Sequence, residues 1–372
     1  MNQERKIGIL LPQSNAYPLI GKEFINGLKL ALANTNYQLA IESIGFGADP
    51  KQTLNAAQKL VFQEDVFLTT GLIGHYGFEE IADYFSKNEE TLLAATMGAT
   101  AIEKTPKGVY QNSLDLFKAL KDLVRYFSDE GKENIATSSC YYEAGYGFLQ
   151  ALDQGVQAHN NTSFAGHFIT PLEPRENEEV IMEESFKAFH PDAIVAFHNG
   201  VYAEEHAAFL NKNNIHKEYP LYCLPFSCED KLIQTYPDVF NHVQIVSSWF
   251  AELDIAENKT FINAYNSNYA KPPSFFALLG YENGLIIKAL IEAEKHTINA
   301  KIAGLTVNGP RGPIEFSANG KTQFDNYLWK VETTESGNLK RKNIARLKAS
   351  KPAQEAPLTK ETAGWFNAYL CH

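Results

Sequence analysis

Long apolar runs are missing from this sequence. None of its 372 residues belongs to an uninterrupted stretch near the roughly 20 needed to span a bilayer, so no direct membrane insertion is expected. Positive charge is also short: 33 Lys and Arg against 44 Asp and Glu leave a formal net charge of -11. A phosphate-backbone binder carries the opposite balance, so no nucleic-acid partner is expected. Cysteine is sparse, at Cys140, Cys223, Cys228 and Cys371. Cys223 and Cys228 lie further apart than paired zinc ligands do, and no His/Cys pair follows at the right distance, so no metal site is expected. The thiols leave the redox compartment and any pairing open. No Walker loop and no Gly-x-Ser-x-Gly elbow occurs, and the glycines of GLIGHYG miss the dinucleotide spacing. No cofactor and no catalytic residue is therefore assigned. No signal peptide is visible, since Met1 to Arg5 run straight into an apolar strand. The expectation is either a cytoplasmic protein or an envelope protein whose targeting segment has been removed.

What is present is a globular composition, 44% hydrophobic and 21% charged, with 24 Phe and 18 Tyr. The length suffices for two domains. A near-continuous apolar strand is expected at Lys6 to Leu11, and further strands at Gln38 to Ile44, Val66 to Thr70 and Leu92 to Ala95. Helices at Phe24 to Leu32, Pro50 to Leu60 and Glu79 to Phe85 separate them. The stretch GFGADPKQTLNAAQKL opens on an Asp49-Pro50 turn and feeds a strand ending in a glycine-rich aromatic loop at Gly71 to Gly77. The pattern then restarts. Strands fall at Asn134 to Ser138, Ser163 to Ile169, Ala193 to Phe197, Tyr219 to Leu224 and Val243 to Trp249. Helices fall at Phe117 to Phe127, Gly147 to Ala158, Glu178 to Phe189 and Ala203 to Asn211, and later at Phe261 to Asn266 and Tyr281 to Ala293. Strands alternating with helices imply right-handed βαβ units and mainly parallel sheets. The expected class is α/β, with two Rossmann-like lobes. GPRGPIEF-SANG-KTQFDNYLWKVE predicts a β-hairpin about Asn319-Gly320. The basic run at Lys340, Arg341, Lys342, Arg346 and Lys348 reads as a solvated extension.

Candidate ligand groups gather in the loops at strand carboxyl ends, where open α/β sheets bind ligands. They are Ser14 and Tyr17; His75 and Tyr76; Thr96, Gly98 and Thr100; Tyr141, Tyr142 and Tyr146; Asn199 and Tyr202; and Phe226 and Ser227. Small residues let backbone N–H groups approach a ligand, and hydroxyls and ring edges orient it. A helix N-terminus expected after the loop TMGAT would favour a carboxylate. His198 and His206 read as surface or core histidines, and the carboxylate pairs Glu79-Glu80, Glu183-Glu184 and Glu204-Glu205 as solvated helix faces.

In order and spacing, KIGILLPQSNAYPLIGKEFINGLKLAL, ADPKQTLNAAQKLVFQEDVFLTTG, LLAATMGAT, PPSFFALLGYENGLIIKALIEA and NGPRGPIEFSANG resemble the type I periplasmic binding proteins. The likeness is to the branched-chain amino-acid (Leu/Ile/Val) receptors of ABC importers, over residues 6–332. The resemblance implies two lobes, 1–114 plus 250–326 and 115–249 plus 327–372. Hinge crossings would fall near Asn112 to Leu116, Ser247 to Leu253 and Asp325 to Trp329, and ligand would close the cleft. It implies a non-enzymatic solute receptor with a small-molecule ligand and a membrane permease as partner, in the periplasm or lipid-anchored at the envelope. The same fold also serves ligand-sensing regulators and receptor domains, which is the alternative.

By the family's pattern, Gly98 and Thr100 would hold a ligand carboxylate. The companion serine loop maps to His75 to Phe78 and lacks its serine. The second-lobe glycine maps to Gly145, with Ala144 where a tyrosine is usual and Tyr142 and Tyr146 flanking. The next pocket tyrosine maps to Val201 or Tyr202, and a late-helix aromatic to Phe276. The acidic partner of a ligand ammonium should follow Leu224-Pro225. Phe226 stands there, with Glu229 three residues on, which favours an amino-acid-like ligand that is less charged, or an aromatic carboxylate.

Overall fold

A computed structural model describes residues 4–102, 105–159, 161–173, 175–334, 339–350 and 364–372. Met1 to Gln3, part of the stretch read as lacking a signal peptide, lie outside them. Strands run Arg5–Leu11 (β1), Tyr37–Ser43 (β2), Leu68–Leu72 (β3), Leu92–Thr96 (β4), Val109–Ser113 (β5), Asn134–Cys140 (β6) and Ser163–Thr170 (β7). They continue Ala193–Phe197 (β8), Leu221–Cys223 (β9), Val243–Ser247 (β10), Thr306–Gly309 (β11), Gly312–Glu315 (β12), Tyr327–Thr333 (β13) and Leu339–Arg346 (β14). The chain divides into two compact units. One comprises Met1–Asp115, Leu253–Phe324 and Trp365–His372, the other Leu116–Glu252 and Asp325–Gly364. Trp365–His372 thus pack with the first unit, although the sequence reading placed 327–372 whole in the second lobe. The backbone bond from Ala368 N–H to Phe46 O, 3.0 Å, is one of the contacts that hold them there.

The first unit is built on a parallel sheet of order β2-β1-β3-β4-β5. Buried strands of this kind read as continuous apolar runs, which explains KIGILL and LLAAT. On one face Leu10, Leu60, Phe78, Ile81, Phe85 and Val109 form a core cluster. The other face meets the helices Ile20–Ala31 and Phe275–Leu290. The second begins six residues before its sequence-predicted start, because Ser274 caps it by accepting the Ala277 N–H at 3.3 Å. These two helices touch through glycines. A Cβ on Gly27 would lie 2.0 Å from Ala277 O, and one on Gly280 2.0 Å from Phe24 O.

Below this contact lies a buried polar network. Arg311 donates from Nε to Glu282 Oε1 at 2.9 Å and from Nη2 to Asn112 Oδ1 at 2.9 Å. Asn112 Nδ2 donates to Glu282 Oε2 and to Asn283 Oδ1, both at 3.0 Å. Asn283 continues to Thr70 Oγ1 at 2.9 Å. Arg311 occupies the turn of the β11–β12 hairpin, whose register pairs Gly309 with Gly312. The hairpin therefore turns at Pro310-Arg311, and Asn319-Gly320 closes only a smaller turn with the single bridge Phe316–Thr322. Anchoring of Arg311 in the core favours the earlier turn.

The second unit carries a sheet of order β14-β13-β10-β9-β8-β6-β7, parallel from β10 to β7 and antiparallel at β13 and β14. The segment expected to be a solvated extension is the edge strand β14. Its Arg341 is buried beneath the basic surface, where it pairs with Asp230 at 2.6 Å and lies over the Phe250 ring. Cys223 and Cys228 form a disulfide around the turn Pro225–Ser227.

Gly280→Ala should cost about 1–3 kcal/mol or more through overpacking of the two helices. Urea unfolding checks this: the midpoint should fall with an unchanged slope.

Candidate functional site

In the first unit the loops following β1, β3 and β4 converge at the strand carboxyl ends. Gly98 adopts φ +65°, and a Cβ there would sit 2.5 Å from Asp115 Cα, so this loop requires glycine. Among the described residues no helix follows TMGAT before β5, contrary to expectation. Ala101 and Ile102 are irregular, and the next element is β5. Any anion held here relies on loop N–H groups and hydroxyls instead of a helix terminus.

Gly98 and Thr100 line one small cavity together with His75, Met97, Ala368 and Tyr369. Ser14 is buried; its hydroxyl donates to Leu370 O and accepts the Tyr17 N–H at 2.8 Å. His75 Nε2 donates to Trp365 O at 3.0 Å, which places the proton on Nε2. Burial lowers the His75 pKa, and that carbonyl partly restores it. The Tyr76 ring meets Phe366 at 4.7 Å between centroids. Tyr17 packs edge-on against Phe276 at 5.7 Å. His75, Gly98 and Thr100 thus share one cavity, Ser14, His75 and Tyr76 each touch the segment Trp365–His372, and Tyr17 and Phe276 form a separate pair. The segment Trp365–His372 was missing from the expected site, since a short polar-aromatic stretch carries no pattern that reveals where it docks.

In the second unit Tyr142 and Tyr202 come together, their rings 5.7 Å apart, with Tyr141 against Tyr142 at 5.8 Å. Tyr146 is buried against Phe148 at 6.4 Å, making it core. Phe226 is likewise buried in the disulfide-closed turn, and Glu229 is exposed. Beneath Asn199, the buried Glu143 accepts from its Nδ2 at 2.5 Å.

Behind the tyrosines lies a cavity of about 150 Å³, lined among others by Cys140, Thr170, His198, Tyr202 and His206. His198 and His206 stack at 3.9 Å, a pairing that the strand-end and mid-helix positions did not reveal. Desolvation holds His198 well below the ordinary imidazole range, and it lowers His206 and His167 to about 4. The Cys140 thiol is pushed up to about 12 by burial and Glu143, which makes it a poor nucleophile. Among the described residues no cluster of three or more His, Cys, Asp or Glu is placed to hold a metal ion, and no helix is long and apolar enough to cross a membrane.

Two α/β units whose strand-end loops carry small, hydroxyl and aromatic groups define a solute-binding protein in class. The periplasmic binding protein family model matches residues 4–338, and the chain belongs to that family. The family is one of solute-binding proteins and is not an enzyme class; its members work in the periplasm or outside the cell. No curated protein matches the sequence. Among solved structures the chain is similar to an ABC transporter substrate-binding protein from Sphaerobacter thermophilus. The TM-score is 0.80 at 17% identity, covering 94% of this chain and 99% of that one. It is also similar to a solute binding protein of an ABC transporter from R. palustris in complex with benzoate, with TM-score 0.74, 19% identity and 95% and 98% coverage. A third is the branched-chain amino acid transporter substrate binding protein LivJ from Streptococcus pneumoniae in complex with isoleucine. Its TM-score is 0.69 at 14% identity, with 92% and 100% coverage.

The buried His198 and the half-buried His206 and His167 predict a pH dependence. Their folded pKa values lie below the unfolded value of about 6.5, so the unfolded chain binds more protons in between. Stability should be complete above about pH 6.5 and fall as the pH drops toward about 4. Denaturant midpoints across that range check it, and His206→Gln should flatten the slope.

Proposed function

We propose that this protein is the solute receptor of an ABC importer, and that its ligand is a small carboxylate with an aromatic or apolar body instead of an α-amino acid. The observation that carries the ligand class is at Leu224-Pro225. Phe226 fills the position of the expected acidic partner and is buried, while Glu229 is exposed. A buried ammonium with no carboxylate beside it pays several kcal/mol in desolvation. A benzoate-like ligand has no such group, and the likeness to the benzoate-bound receptor supports the same class.

Gly98 N–H and the Thr100 hydroxyl are assigned to the carboxylate, with Ser14 and His75 as further donors and Tyr17, Tyr76 and Phe276 as apolar contacts. Tyr142 and Tyr202 are the candidates in the second unit. A membrane permease is the proposed partner, and the periplasm or a lipid-anchored place at the envelope the proposed location. The Cys223–Cys228 disulfide fits an oxidising compartment.

Thermal shift and calorimetry against benzoates, aliphatic carboxylates and amino acids test the reading. Aromatic carboxylates should raise the melting temperature, with about 2.7 kcal/mol of added stability at a hundredfold excess over Kd. A shift with α-amino acids alone would overturn the ligand class. Thr100→Val should weaken binding by about tenfold and leave the melting temperature of the free protein nearly unchanged; unaltered affinity would remove Thr100 from the site.

A further inference from the structure

We infer that the segment Trp365–His372 is a tethered occupant of the first unit's ligand loops, which a solute must displace in order to bind. This rests on the receptor function proposed above. The segment uses the groups assigned to ligand. Ser14 Oγ donates to Leu370 O, His75 Nε2 donates to Trp365 O, and the Phe366 ring packs at a tilt against Tyr76. The N–H groups of Asn15 and Ala16 both point to His372 O, at 3.1 and 3.4 Å. Carbonyl oxygens of the segment thus take up donors assigned to the ligand, and the half-exposed Phe366 ring covers part of Tyr76.

The loops are also shaped to the segment. A Cβ on Gly74 would lie 2.7 Å from Ala368 Cα, and one on Gly47 3.1 Å from Ala368 Cβ. Ala368, Tyr369, Leu370 and Cys371 are buried. The space that remains beside Thr100 and Gly98 is about 30 Å³. That is room for a water or two, whereas an apolar cavity known to take benzene is about 150 Å³. An aromatic carboxylate and the segment therefore cannot share the site.

The segment is held without being at rest. Leu370 has φ +67° while wholly buried, a conformation that a bulky residue keeps only where its surroundings impose it. Release lets that backbone relax, which lowers the cost of displacement. An occupant of this kind lowers the apparent affinity by the fraction of time the loops are filled.

Trp365 supplies the reporter. The chain has three tryptophans, and Trp249 and Trp329 are buried at 2% and 0% exposure. With the full chain, acrylamide quenching, corrected by a Trp365→Phe control, reads the segment, and calorimetry with benzoate and 4-hydroxybenzoate reads the site. Saturating benzoate should increase Trp365 quenching. Ala368→Glu, which places a charge against Gly47 and Gly74, should uncover Trp365 without ligand and raise benzoate affinity by about tenfold. Phe366→Ser should act in the same direction, more weakly. Equal affinity in all three proteins, with Trp365 shielding unmoved by benzoate, would overturn the inference and leave the receptor function standing. Binding of none of the aromatic carboxylates to any of the three, although the substitutions uncover Trp365, would overturn that ligand class and the competition with it.

Discussion

The first unit depends on the buried pair Arg311–Glu282. Both side chains are fully buried and 2.5 Å apart at their closest. Taking two charges out of water costs several kcal/mol each, and their attraction offsets this only when the geometry is close and the remaining donors and acceptors are satisfied. Here they are satisfied: Arg311 also reaches Ser113 O at 2.8 Å and Asn112, and its guanidinium lies 3.7 Å from the centroid of the Phe324 ring. The pair fastens the β11–β12 turn, the end of β5 and the helix Phe275–Leu290 to one another. Loss of either partner strands a buried charge, at a cost of about 3–5 kcal/mol. That explains why the hairpin turns at Pro310-Arg311 although Asn319-Gly320 has the better local turn chemistry.

With the sheet and helices fixed, the loops at its carboxyl edge are presented in a set geometry. Gly98 lets its loop pass against Asp115, and Ser14, His75 and Tyr76 all contact the segment Trp365–His372. Rigid elements below and polar loops above are what solute binding needs, because groups already in place lose little entropy on meeting a ligand. In the second unit the same division holds. Tyr146 and Phe226 went into the core, while Tyr142 and Tyr202 remained as a ring pair near the cavity walled by His198 and His206.

The fold was legible where periodicity is strong. KIGILL, LLAAT and AIVAF are strands because residues buried on both faces must all be apolar, and Asp49 caps its helix as the Asp-Pro pair indicated, accepting the Lys51 N–H at 2.9 Å. Legibility failed where a distant partner decides. The basic run after Glu332 looked solvated, yet it pairs with β13 because an open sheet edge was available to it. TMGAT looked like a helix entry, yet the next element among the described residues is β5. His198 and His206, eight positions apart across a loop, stack only because β8 and the following helix bring them together.

Local physics acting on the sequence therefore determined the class of fold and the order of strands and helices, since each follows from the burial of neighbouring residues. Tertiary structure alone decided which aromatic residues face the loops and which fill the core, where the hairpin turns, that Cys223 and Cys228 join, and that Trp365–His372 lie against Ser14 and His75. Those outcomes turn on contacts between residues as far apart as Asn15 and His372. No pattern within a helix or strand records such contacts, because their energy exists only once the chain has folded.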